Sequence, residues 1–129
     1  MAANDPVSTL IQRPAVLVHL DDTLRRLAET FSEEYVGAAV VKDTHPLALV
    51  SERDVLSALA TGADPDETWV REVMTEDVAV AAPTDPIIDV TFRMLADQIR
   101  HMPVVEDGVV VGMISGRDAL RALAEDICR

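Results

Sequence analysis

Short apolar runs alternate with longer stretches in which apolar residues recur every three or four positions, and the alternation is played out twice. Val16-Leu17-Val18 reads as a short strand. Leu24, Leu27, Ala28 and Phe31 then fall at i, i+3, i+4 and i+7, one face of an amphipathic helix that Asp21-Asp22 is placed to cap. Val40-Val41 and Leu47-Ala48-Leu49-Val50 flank Lys42-Asp43-Thr44-His45-Pro46, a turn-rich connection of hairpin length. Ser51 opens a second helix carrying Val55, Leu56 and Leu59, which ends near Thr61-Gly62. The predicted order is β-α-β-β-α. In the second half Val78–Val80 is the short strand, and Asp85-Pro86 opens a helix with Ile88, Phe92 and Leu95 at i, i+4 and i+7. Val104-Val105 and Val109–Ile114 flank Glu106-Asp107-Gly108, and Asp-Gly between apolar runs signals a tight hairpin.

The two halves share wording as well as pattern. SERDVLSALA at 51–60 returns as SGRDALRALA at 115–124, 64 positions later. With that offset held and no gap, Val41 meets Val105, Asp21 meets Asp85 and Val16 meets Val80, so the repeat covers a whole unit. A unit of roughly 45–60 residues buries too little of its surface to be robust alone, so the two are expected to bury one core together. The predicted organisation is a first unit over 7–62, a linker over 63–76 and a second unit over 77–127, an α/β (α+β) fold. In the linker, Pro65 and an acidic cluster break regular structure. Trp69, Val70, Val73 and Met74 predict a helical turn packing back, with Trp69 in a core role.

Composition narrows the function. Of 129 residues 49% are hydrophobic but only 3% aromatic, so the core is aliphatic. A net charge of −12 argues against nucleic acid, whose binding rests on a basic surface. No run is long enough to span a bilayer and the N-terminus lacks the pattern of a leader, so a cytoplasmic protein is expected. Catalysis is not expected either. His19, His45 and His101 sit in three unrelated settings, and no Gly-x-Ser-x-Gly places a serine. Asp64, Asp66 and Glu67 lack the spacing of a calcium loop, and Glu33-Glu34 reads as a solvated face. The single cysteine, Cys128, next to the C-terminus, offers neither an internal disulfide nor a thiolate metal site. Neither metal nor cofactor is expected.

The repeated Ser-x-x-Asp carries two readings. Ser51/Asp54 and Ser115/Asp118 stand just ahead of apolar helices, and a capping box alone would account for them. The same geometry leaves a helix N-terminus after a strand, a place suited to anions. A hydroxyl there can donate to phosphate and a carboxylate one turn on can accept from a ribose. Capping does not require Arg53 and Arg117, whereas a phosphate would use arginine.

Two β-α-β-β-α units in tandem, with strand-to-helix steps ALVSERD and GMISGRD, a second unit reading IRHMPVVEDGVVVGMISGRD and a junction VREVMTEDV, resemble a pair of CBS domains, the module named after cystathionine β-synthase. The resemblance spans roughly residues 7–127, which implies a stand-alone module of the prokaryotic type. It implies two units about a pseudo-twofold axis with two clefts, each drawing on both units, that take adenine nucleotides such as AMP, ADP or ATP. In the main cleft Asp118 would hold the ribose and Ser115 the phosphate, with Arg117, Arg100 and His101 supplying charge. Adenine would lie on Val16 and on Val36-Gly37-Ala38, with Ile11 and Pro14 closing the slot. The second cleft would use Asp54, Ser51 and Arg53, with Val78, Val80 and Met102 on the base side. Counting back 64 places Val36 and Gly37 opposite Arg100 and His101, so this cleft lacks cations and is expected to be the weaker. An S-adenosylmethionine or NAD(H) sensor, and a purely structural dimerisation or adaptor module, are the alternatives. The expected assembly is a homodimer that signals to a regulated protein the sequence does not name.

Overall fold

The chain folds as two compact units whose membership does not follow sequence order. In the computed structural model, which describes residues 3–127, the early unit is Val16–Val78, and the late unit joins the residues up to Ala15 to those from Ala79 onward.

In the early unit β1 (Leu17–Val18) pairs in parallel with β2 (Ala38–Val41), which pairs antiparallel with β3 (Leu49–Ser51). The parallel pair needs a crossover, and α1 (Leu24–Glu34) supplies it. Its cap is Thr23, whose hydroxyl accepts the Arg26 N–H at 3.1 Å. Asp22, predicted to share that role with Asp21, instead accepts the His19 N–H at 2.9 Å and turns the chain ahead of the helix. Leu24, Leu27 and Phe31 are buried as predicted, while Ala28 faces out. Helix α2 (Glu52–Ala60) buries only Val55 of its predicted stripe, leaving Leu56 and Leu59 exposed.

The late unit is built from α4 (Ile87–Asp97), β4 (His101–Glu106), β5 (Val109–Ser115) and α5 (Gly116–Ile127). Its opening strand, predicted at Val78–Val80, is reduced to one parallel bridge between Ala81 and Val104. The Asp107-Gly108 hairpin forms as predicted, both residues at positive φ (52° and 78°). The face of α4 does not. Ile87, Val90 and Met94 are buried, and Phe92 and Leu95 from the predicted stripe are 63% and 68% exposed. Both stripes of α4 are apolar, so periodicity alone could not choose between them.

The fixed 64-residue offset also needs correction. Val18 pairs with Val41 as Ala81 does with Val104, and Ala38 faces Ser51 as His101 faces Ser115. Helices α1 and α4 end at Tyr35 and Gln98, both left-handed with φ 55°. The offset is therefore 63 up to Val41 and 64 from Ala48 onward. The additional residue enters at the irregularity between Val104 and Val105, where the longer hairpin absorbs it. Asp85 is the counterpart of Asp22, not Asp21, and its carboxylate accepts the Ala82 N–H at 2.9 Å as Asp22 accepts that of His19.

Two segments outside the repeats complete the units. After the 63–69 stretch, α3 (Val70–Val73) lies against the early unit: Val70 N–H bonds Asp22 O at 2.8 Å and Leu24 N–H bonds Thr68 O at 3.0 Å. In the late unit a 3-10 turn, Val7–Leu10, repeats this 63 positions earlier, with Val7 N–H on Asp85 O at 2.7 Å and Ile87 N–H on Asp5 O at 3.0 Å. Val7 and Val70 are both fully buried. Buried residues accordingly form two clusters, one inside each unit, where the sequence predicts a single shared core. Trp69, predicted to be core, is 38% exposed, and its neighbour Val70 fills the interior.

Candidate functional site

Each unit presents a strand running straight into a helix at its Ser-x-x-Asp. In the late unit the Ser115 N–H donates to Asp118 Oδ2 at 2.9 Å, and the Asp118 N–H donates to Ser115 Oγ at 3.1 Å. This is the capping box, so the bland reading of the motif is correct as far as it goes. It leaves Asp118 Oδ1 outside the cap, where Arg121 Nη2 approaches at 3.4 Å. The Asp118 side chain stays 25% exposed.

The pairing of β4 with β5 decides what stands beside this helix end. His101 faces Ser115 across the ladder, and the Gly116 N–H donates to Arg100 O at 2.7 Å. Opposed residues of an antiparallel pair share a face, so His101 and Ser115 are neighbours, with Arg100 adjoining and exposed. Arg117 is exposed at the second helical position. Five of the predicted residues, Ser115, Arg117, Asp118, Arg100 and His101, thus converge within one unit. Ile11 packs in the same unit over Gly112, where an added Cβ would lie 2.8 Å from its side chain; Pro14 is exposed.

The early unit repeats the box with a difference. The Ser51 N–H donates to Asp54 Oδ2 at 2.8 Å, the Asp54 N–H to Ser51 Oγ at 3.3 Å, and the Ser51 hydroxyl also donates to Asp54 Oδ2 at 3.1 Å. Among the described residues the Ser115 hydroxyl makes no such donation. Ala38 faces Ser51, and the Glu52 N–H donates to Gly37 O at 2.9 Å. Gly37 and Ala38, rather than Val36 and Gly37, therefore stand where Arg100 and His101 stand, and the lack of cations holds with the corrected pairing.

The remaining base-side residues are placed unevenly. Val16 and Val36 are half-buried against the early core, and Ala38 is buried. Met102 is sealed in the late core, leaving only its backbone for any ligand. Val80 is exposed, but its carbonyl already accepts Arg93 Nη2 at 2.7 Å; Val78 is half-buried and Arg53 exposed.

Sequence reasoning missed two features here. Arg121 on Asp118 follows from i, i+3 spacing, which was legible. The contrast of Glu52 with Gly116 was also in plain view within SERD and SGRD. Among the described residues no group of three His, Cys, Asp or Glu side chains could hold a metal, and no helix is long and apolar enough to cross a membrane. Cys128 lies outside the described residues.

Comparison with known proteins bears on this geometry. An uncharacterized protein of Methanocaldococcus jannaschii is 33% identical over 127 residues, 97% of this chain and 45% of its own length. The chain spans about half the length of the curated relatives it matches first. A CBS domain protein from Pyrobaculum aerophilum, solved in complex with AMP, is 31% identical with a TM-score of 0.81, covering 96% of this chain and 99% of that one. A CBS-domain containing protein from Agrobacterium tumefaciens is 28% identical with a TM-score of 0.85, covering 93% and 94%. The CBS domain profile matches twice, at residues 7–61 and 70–125. With two repeated units of β-α-β-β-α type, the second opening on a bridge in place of a full strand, two such matches and these structural relatives, the chain belongs to the CBS-domain family, as a tandem pair.

Proposed function

We propose that this chain is a regulatory sensor for adenine nucleotides, with Asp118 as the acceptor for the ribose hydroxyls and Ser115, Arg117, Arg100 and His101 as the phosphate-binding group. The observation that carries the reading is the β4–β5 register, which sets Arg100 and His101 beside a capped helix N-terminus whose aspartate keeps one oxygen outside the cap. Charge-assisted bonds from guanidinium to phosphate are strong, and the helix end adds favourable N–H groups. The relative from Pyrobaculum aerophilum, complexed with AMP, supports the ligand class. The protein acts without catalysis: nucleotide binding shifts the balance between conformations seen by a regulated protein, by no more than the ligand's differential affinity for them. It works as a homodimer, for which the exposed apolar side chains of α4 and α5 are available.

Isothermal titration with AMP, ADP and ATP tests this. Saturable binding is expected, and Asp118→Ala should abolish it in a chain that still folds. Thermal shift gives a second readout, since a ligand at about 100 times its Kd adds roughly 2.7 kcal/mol. A folded wild-type chain that binds no adenine nucleotide overturns the reading in favour of a structural dimerisation module, for which the two complete capping boxes are the supporting observation.

A further inference from the structure

We infer that the outer edge of β5 is an interface with a second copy of this chain, the two β5 strands pairing antiparallel about a twofold axis. This surface is separate from the exposed helix faces of α4 and α5, and the inference does not depend on the nucleotide reading.

The two units treat the outer edge of their last strand differently. In the early unit Leu49 donates its N–H to Thr75 O at 2.9 Å and its carbonyl accepts the Thr75 N–H at 2.7 Å, so the main chain after α3 seals the edge of β3. The counterpart of Leu49 is Met113, 64 positions on. Met113 faces Pro103, which has no N–H and whose carbonyl accepts the Ala81 N–H at 2.9 Å. The Met113 N–H and C=O therefore point away from β4, as in a non-hydrogen-bonded pair of an antiparallel ladder. Among the described residues no hydrogen bond engages them, and Gln12, the counterpart of Thr75, forms no bridge.

Open edges are usually guarded by lysine, proline or short strand length. Strand β5 runs seven residues, Val109–Ser115, with no charged residue or proline, and Val109 and Val111 are 62% and 36% exposed. Its one guard is the bulge at Val111, which adds twist without closing the edge.

Charge at the two ends of the strand selects a second copy as the occupant. Glu106 and Asp107 at the hairpin tip are exposed, as are Arg100 and Arg117 at its base. Among the described residues none of the four has an ion-pair partner. A twofold axis through an antiparallel β5 pair lays each tip beside the other copy's base, so acidic and basic ends meet twice. Parallel pairing would set tip against tip and repel.

Sedimentation velocity over a concentration series, with hydrogen exchange read at the Met113 amide, tests this. The expected result is a mass that doubles with concentration while exchange at Met113 slows, in wild type and in the Phe92→Glu chain alike. Val111→Lys, a guard of the kind edges carry, should abolish both effects. Glu106→Arg and Arg117→Glu should each weaken association about ten-fold at low salt, and the chain carrying both should regain wild-type affinity. Circular dichroism checks that each variant folds; if Val111→Lys does not, the charge exchange decides alone. A mass independent of concentration overturns the inference and leaves the edge to a strand of another protein. Association that survives Val111→Lys in a folded chain, leaves Met113 exchange unchanged, or is not restored by the double exchange overturns it as well.

Discussion

At the scale of single residues, the clearest electrostatic pair lies away from the half-sites. Arg25 grips Asp66 with two prongs, Nε to Oδ1 at 2.5 Å and Nη2 to Oδ2 at 3.0 Å, tying α1 to the stretch before α3. The guanidinium holds the Asp66 carboxyl below its ordinary 3.8, chiefly through the hydrogen bond. A carboxyl depressed on folding contributes stability that is present above its unfolded value and lost as pH falls through the folded one. The expected outcome is a urea midpoint lower for Asp66→Asn than for wild type at pH 7, with the gap closing below about pH 3.8. Equal midpoints at both pH values would mean that solvent screening cancels the pair, the usual fate of exposed ion pairs. Ser115 and Asp118 stood out as candidate residues because their identities repeat at Ser51 and Asp54, and Arg100 and His101 because the family resemblance pointed to them.

At the scale of elements, α4 shows how two apolar stripes on one helix divide the work. Met94 is 4% exposed inside the late core, whereas Phe92 is 63% exposed on the opposite side. Met94→Ala should cost about 2–5 kcal/mol in chemical denaturation, as large-to-small core substitutions do. Phe92→Glu should leave monomer stability within about 0.5 kcal/mol. It should nevertheless halve the mass in light scattering, because Phe92, Leu95 and, on α5, Leu120 are the exposed apolar side chains that the proposed homodimer would bury. If Phe92→Glu unfolds the chain while Met94→Ala is silent, the facing of α4 is wrong. The sequence located this helix and its opening at Asp85-Pro86. It could not orient it, since the stripe at Ile88, Phe92 and Leu95 is as apolar as the one at Ile87, Val90 and Met94, and only packing against β4 and β5 separates core from surface.

At the scale of the whole molecule, the notable feature is which segment completes which unit. The early unit is closed by Val70 and its neighbours, which follow it in the chain, while the late unit is closed by Val7 and its neighbours, far from it in sequence. Val7→Asp, which would bury an unpaired charge, should therefore accelerate hydrogen exchange in α4 and β4, whereas Ser8→Asp at an exposed position should not. Equal protection in both variants would remove the N-terminal segment from the late core. The helices and hairpins, the tandem repeat, the family and the two capping-box motifs were legible in the sequence alone, because they rest on local periodicity and on side-chain identity at short spacing. Tertiary structure decided the rest: the one-residue slip between the repeats, the buried face of α4, the closing of the late unit by Val7, and the setting of Gly37 and Ala38 opposite Ser51 and Glu52. Each of these depends on strand register or on contacts between residues distant in the chain, and free energy there is settled by which surfaces pack together, information that no local pattern contains.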